Sequence, residues 1–87
     1  MRNLSVLLLD ENVLDAKLNQ DELQLHLQDY RCTFHLVTSK TEYHKILDTL
    51  APDVVLSDYN LPSYTGLEAL RDLKAKFPYT PFIFVTG

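Results

Sequence analysis

Pro52–Leu70 reads PDVVLSDYNLPSYTGLEAL. Within it Asp53–Ser57 (DVVLS) is a short β-branched apolar run, and it predicts a buried strand that runs straight into Asp58. Tyr59–Gly66 (YNLPSYTG) is rich in turn formers and reads as a loop. Leu67, Leu70, Leu73 and Phe77 then recur at helical spacing and predict a helix with one apolar stripe. Strand, carboxylate, loop and helix in that order make one unit of an α/β protein.

The same unit appears on either side. Leu4–Leu9 (LSVLLL) is a continuous apolar run ending at Asp10-Glu11, and Asn12 or Asp10 can cap the helix that follows. Val13–Gln28 has no Gly or Pro and reads as helix. Its apolar residues fall on two faces, with Leu14, Leu18 and Leu25 on one and Ala16, Leu23 and Leu27 nearly opposite. A sheet needs only one of them, so the second face asks for another partner. Cys32–Val37 (CTFHLV) predicts a strand. Ser39-Lys-Thr-Glu42 fits a capping box, and Tyr43, Ile46, Leu47 and Leu50 stripe a helix that stops at Ala51-Pro52. Pro78 and Pro81 bracket a turn before a last strand, Phe82–Val85 (FIFV). The order βαβαβαβ predicts an open parallel sheet with right-handed crossovers and helices on both faces.

With 87 residues, residues 1–87 form one domain with one small core and marginal stability. The net charge is −4, from 12 acidic and 8 basic residues, and no basic cluster exists. Nucleic acid and a polybasic membrane anchor are therefore excluded as partners. Cys32 is the single cysteine, which excludes a disulfide framework, reads as a small buried hydrophobe and fits a reduced cytoplasmic setting. The longest strictly apolar stretch, Val6–Leu9, is too short to span a membrane, and no signal peptide is expected.

Ligands of open parallel sheets bind beyond the carboxyl ends of the strands. There the chain offers Asp10-Glu11 after strand one, Asp58 after strand three and Thr86 after strand four. Carboxylates brought that close oppose each other's ionisation unless a cation neutralises them. A hard divalent ion such as Mg²⁺, which keeps waters and a phosphate, is the natural neutraliser. The chemistry so assembled is Mg²⁺-assisted phosphoryl transfer to a carboxylate, with a hydroxyl contacting a transferred oxygen. Gly66 and Gly87 are the only glycines, so a Walker-type loop and a dinucleotide fingerprint are both absent. His26, His35 and His44 match no metal-ligand spacing. Tyr59 and Tyr64 fall in the loop beside Asp58, where loop packing competes with gating as their role.

The runs SVLLLDEN, PDVVLSDYNLPSYTGLEAL and FIFVTG, in this order along the whole chain, resemble the receiver domain of two-component response regulators. The resemblance rests on an acidic pair, an Asp followed by x-Asn-x-Pro, a Gly four residues after that Pro, and a strand ending in Thr-Gly. It implies a flavodoxin-like sheet order 2-1-3-4 with three helices. It implies that Asp58 accepts phosphate from a histidine kinase or phosphotransfer protein, without turnover of a free metabolite. It implies that Asp10, Glu11, Asp58 and the backbone carbonyl of Asn60 hold Mg²⁺, that Thr86 bonds the phosphoryl group, and that Pro62 and Gly66 shape the loop. Two departures stand out. The acidic pair reads Asp-Glu where the family usually has Asp-Asp, and the family's further helix after strand four, its fifth strand with an essential Lys, and its last helix are absent from these 87 residues. A receiver truncated after strand four would expose FIFV as an uncharged edge and would self-associate through it or through the first helix, as a dimer or with exchanged elements. A non-phosphorylated interaction or dimerisation module is the competing function, and a Mg²⁺-dependent hydrolase is a weaker one because Asn60 stands where an acid–base partner would help.

Overall fold

The computed structural model describes residues 2–58 and 64–85. Four strands and three helices alternate: β1 (Arg2–Leu9), α1 (Val13–His26), β2 (Tyr30–Val37), α2 (Lys40–Leu47), β3 (Val54–Asp58), α3 (Gly66–Lys76) and β4 (Phe82–Val85). All strand pairs are parallel, as the alternation predicts, and the sheet order is β2-β1-β3-β4, as the family resemblance implies.

Alternation along the strands divides the core. Leu7, Leu9 and Val55 point to one face, where Tyr43 and Leu47 of α2 and Ala69 and Leu73 of α3 cover them. Val6, Leu8 and Leu56 point to the other, where Leu23 of α1 packs with Leu4, Phe34, Val54 and Val85. Two helices thus cover one face and a single helix the other. The foot of β3 is fixed to β1 by a reciprocal pair: the Ser5 N–H donates to Asp53 Oδ2 at 2.7 Å, and the Asp53 N–H donates to the Ser5 carbonyl at 2.8 Å.

The helix starts follow from side-chain caps. Asn12 Oδ1 accepts from the N–H groups of Leu14 and Asp15, and Asp10 Oδ1 accepts from the Asn12 N–H at 2.9 Å, so both candidate caps act in series. Ser39 Oγ accepts from the Glu42 N–H as a capping box requires, but the Glu42 carboxylate reaches back one residue further, to the N–H and hydroxyl of Thr38. Those bonds, led by the Thr38 hydroxyl, hold the Glu42 carboxyl below its ordinary range. Thr65 caps α3 by accepting from the Glu68 N–H.

One open choice is settled and two expectations change. On α1 the face against the sheet is Ala16, Leu23 and Leu27, while Leu14, Leu18 and Leu25 are exposed at 75%, 67% and 65%. Small Ala16 is the buried residue of the helix. On α3 Leu67 is exposed, and the buried stripe is Gly66, Ala69 and Leu73. Cys32 is half-buried on the edge strand β2 rather than fully inside. Among the described residues no helix is long and apolar enough to cross a membrane.

Candidate functional site

The register of the sheet brings the candidate carboxylates together. Leu9 pairs with Ser57, so Asp10 leaves β1 beside Asp58, the last residue of β3. Asp58 itself pairs with Val85. Asp10 is buried and its backbone N–H donates to the Val37 carbonyl, which ties the end of β1 to the end of β2. A cleft of about 260 Å³ opens above these ends, lined by Asp10, Asp15, Leu18, Asn19, Asp58 and Val85.

Like charges face one another in this cleft. Burial pushes the Asp10 carboxyl above its ordinary value, and the negative charges of Asp58 and Asp15 push it further, against a lowering hydrogen bond from the Asn12 N–H. Oxygen-only, like-charged donors at a strand edge suit a hard cation. Mg²⁺ is bound through one or two carboxylates with its remaining positions given to water and phosphate, and Asp10 with Asp58 supplies that number. Among the described residues no group of three His, Cys, Asp or Glu side chains forms a fuller cage.

Of the candidates read from sequence, Asp10 and Asp58 meet in the cleft. Glu11 is exposed and does not line it. Asn60, Thr86, Pro62 and Tyr59 lie outside the described residues. Two lining residues, Asp15 and Asn19, went unremarked in the sequence. Their signal was there: they are four residues apart, hence on one helical face, in a helix that starts at the Asp10 strand end.

Tyr64 packs inward from the end of the loop. It is buried at 4% exposure in the core between α2 and α3, with its ring 5.9 Å from that of Tyr43. Its hydroxyl donates to Asp72 Oδ2, which also lies 2.7 Å from His44 Nε2. Burial first, and then the bond to Asp72, push the Tyr64 hydroxyl well above its ordinary range. That setting is packing of the loop's end into the core, and it does not describe a gate.

An open parallel sheet with paired carboxylates at its carboxyl edge defines a class of α/β proteins that handle charged ligands at that edge. More particularly, the chain belongs to the response regulator receiver domain family, whose model matches residues 6–87. Regulatory protein VirG of Agrobacterium tumefaciens (strain 15955) is 34% identical over 82 residues, covering 94% of this chain and 29% of VirG. The chain therefore spans less than a third of the length of that curated relative. The signal receiver domain of an HD domain-containing protein from Pseudomonas fluorescens Pf-5 superposes with a TM-score of 0.77 at 27% identity, over 99% of this chain and 66% of that one. The receiver domain of a sensor histidine kinase from Pseudomonas aeruginosa PAO1, solved with a magnesium ion coordinated in its active-site cleft, has a TM-score of 0.68 at 25% identity, over 94% of this chain and 66% of that one.

Proposed function

We propose that this receiver accepts a phosphoryl group on Asp58 from a histidine kinase or phosphotransfer protein, in a Mg²⁺-dependent reaction in the cytoplasm. The observation that carries the reading is the meeting of Asp10 and Asp58 at neighbouring strand ends in one open cleft, in a chain of this family. A carboxylate oxygen of Asp58 attacks phosphorus, the P–N bond to the donor imidazole breaks, and its electron pair returns to the departing nitrogen. Asp10 and Asp58 would hold the ion, with Glu11 and the Asn60 backbone carbonyl as the further ligands that the family resemblance implies, and Thr86 as the hydroxyl on the phosphoryl group. Bound there, Mg²⁺ supplies positive charge against the transferred oxygens. The chain acts as an acceptor and turns over no free metabolite.

The test is to incubate the protein with Mg²⁺ and a small phosphodonor such as acetyl phosphate, or with beryllofluoride, and to follow intact mass or spectral change. A phosphoryl adduct that Asp58→Asn abolishes is the expected result. No adduct on the wild-type chain overturns the reading. It would favour the second one, an interaction module that self-associates, which draws on the exposed Leu14, Leu18 and Leu25 of α1 and on Ile83 of the edge strand β4. Light scattering after size exclusion reads that directly.

A further inference from the structure

Beside the apolar contact of α2 with α3 runs a ladder of polar pairs that joins α2 to Tyr64 and α3. Lys40 Nζ stands 5.4 Å from the centre of the Tyr64 ring, His44 Nε2 lies 2.7 Å from Asp72 Oδ2, and Asp48 pairs with Lys76. Positions 40, 44 and 48 are successive turns of α2, so the rungs follow the helix pitch. The middle rung is half-exposed, with the His44 and Asp72 side chains 45% and 37% exposed, but it closes over the buried Tyr64. There Asp72 receives both the Tyr64 hydroxyl and His44, and His44 Nε2 is also 3.2 Å from the Tyr64 oxygen. The Tyr43 hydroxyl adds a bond of 2.8 Å to the Ala69 carbonyl, inside α3.

Tyr64 stands immediately before Thr65, the cap of α3, and Gly66, its first residue. That first turn is pressed against the reactive edge. A Cβ placed on Gly66 would lie 2.6 Å from Phe84 Cε1 and 3.2 Å from the Asp58 carbonyl oxygen. The groups that fix Tyr64 therefore fix the turn that rests on the Asp58 backbone.

We infer that Tyr64 is a positioning residue for Asp58: through Asp72 and His44 its hydroxyl sets the seat of α3 against the end of β3, and with it the readiness of Asp58 to accept a phosphoryl group. This rests on the reading of Asp58 as the phosphoacceptor. Asp72 is held ionised for the role. Partial burial raises its carboxyl, but the bonds from Tyr64 and His44 and the charges of His44 and Lys40 outweigh that and bring it below its ordinary value. An ionised Asp72 requires His44 Nε2 to carry its proton, so both neighbours donate and neither competes for a lone pair.

Tyr64→Phe keeps the buried ring and removes only the hydroxyl. It should slow Mg²⁺-dependent labelling of Asp58 about fivefold, a part of the roughly tenfold or more that one charge-assisted hydrogen bond is worth, because the bond reaches Asp58 only through α3. Asp72→Asn should slow it similarly, and the double variant should be no slower than the worse single one, because the groups act as a unit. Leu47→Ala, a core change on α2 without a polar partner, is the control: it should lower the melting temperature at least as much and leave labelling unchanged. The Asp58 amide resonance gives a readout independent of phosphorylation, and it should move in Tyr64→Phe. Wild-type labelling with an unchanged Tyr64→Phe rate, or a labelling loss in Leu47→Ala equal to that in Tyr64→Phe, would overturn the inference. A wild-type chain that takes no label overturns the phosphoacceptor reading instead, and an unmoved Asp58 amide then overturns this inference on its own.

Discussion

Replacing Asp10 with Asn should make the metal-free protein more stable while removing its response to Mg²⁺. Asp10 is buried at 8% exposure, and the pairing of Leu9 with Ser57 sets it beside Asp58 on the neighbouring strand. Adjacent strands are about 4.8 Å apart, so two ionised carboxylates there stand about 5 Å from each other. At an effective dielectric of about 20 their repulsion is about 3 kcal/mol, and salt and water at the open cleft reduce it to about 1–2 kcal/mol. Asparagine keeps an oxygen for the Asn12 N–H, so the loop geometry survives the change. For a domain of this size about 1 kcal/mol moves the melting temperature by about 4–8 °C. In EDTA at pH 7 the variant should therefore melt about 5–10 °C above wild type. Saturating Mg²⁺, at about 100 times its dissociation constant, should stabilise wild type by about 2.7 kcal/mol and the variant hardly at all. A variant that melts at or below wild type in EDTA would refute the reasoning, since Asp10 would then carry no net electrostatic cost.

The sign of the pH dependence follows from the same group. The Asp10 carboxyl titrates above its ordinary value of 3.8, so the folded state holds a proton there that the unfolded state has released. Stability from this group is lost as pH rises from 3.8 through the raised value, and the stability difference between Asp10→Asn and wild type should widen over that interval in titrated thermal melts. Gly66→Ala should cost about 1–3 kcal/mol in denaturant unfolding, because the new methyl meets the Phe84 ring. Leu73→Ala, at a fully buried position of α3, should cost about 2–5 kcal/mol by the same measurement. Leu25→Gln on the exposed face of α1 should change stability by less than about 0.5 kcal/mol and reduce any concentration-dependent association seen by light scattering.

Strand identity was legible in the sequence because each strand is a short apolar run closed by a polar residue, and alternation with helices points to a parallel sheet, while the strand order followed from the family resemblance. Asp10 and Asp58 were legible for the same reason: a carboxylate directly after a buried strand has few other places to go. The choice between the two apolar faces of α1 was not. Both carry leucines at helical spacing, and what selects the face of Ala16, Leu23 and Leu27 is the sheet beneath it, which no local pattern contains. Leu67 misled for a related reason, since the close approach of α3 to Phe84 calls for Gly66 and Ala69 on the inner face. The Tyr64–Asp72–His44 cluster joins residues 8 and 20 positions apart from two elements, and only the packed helices bring them into contact.

The reciprocal bond between Ser5 and Asp53 at the foot of β3 has a consequence at the opposite rim. Side chains alternate across a strand, so a slip of one residue would turn Ser57 to the face that Asp58 now serves. The rim lies about 16 Å from the foot, five residues up the strand. Asp53 touches nothing reactive, yet it acts as an address label, deciding which residue of β3 is delivered to the cleft. A search for function confined to the cleft would pass over the carboxylate that keeps Asp58 in its place.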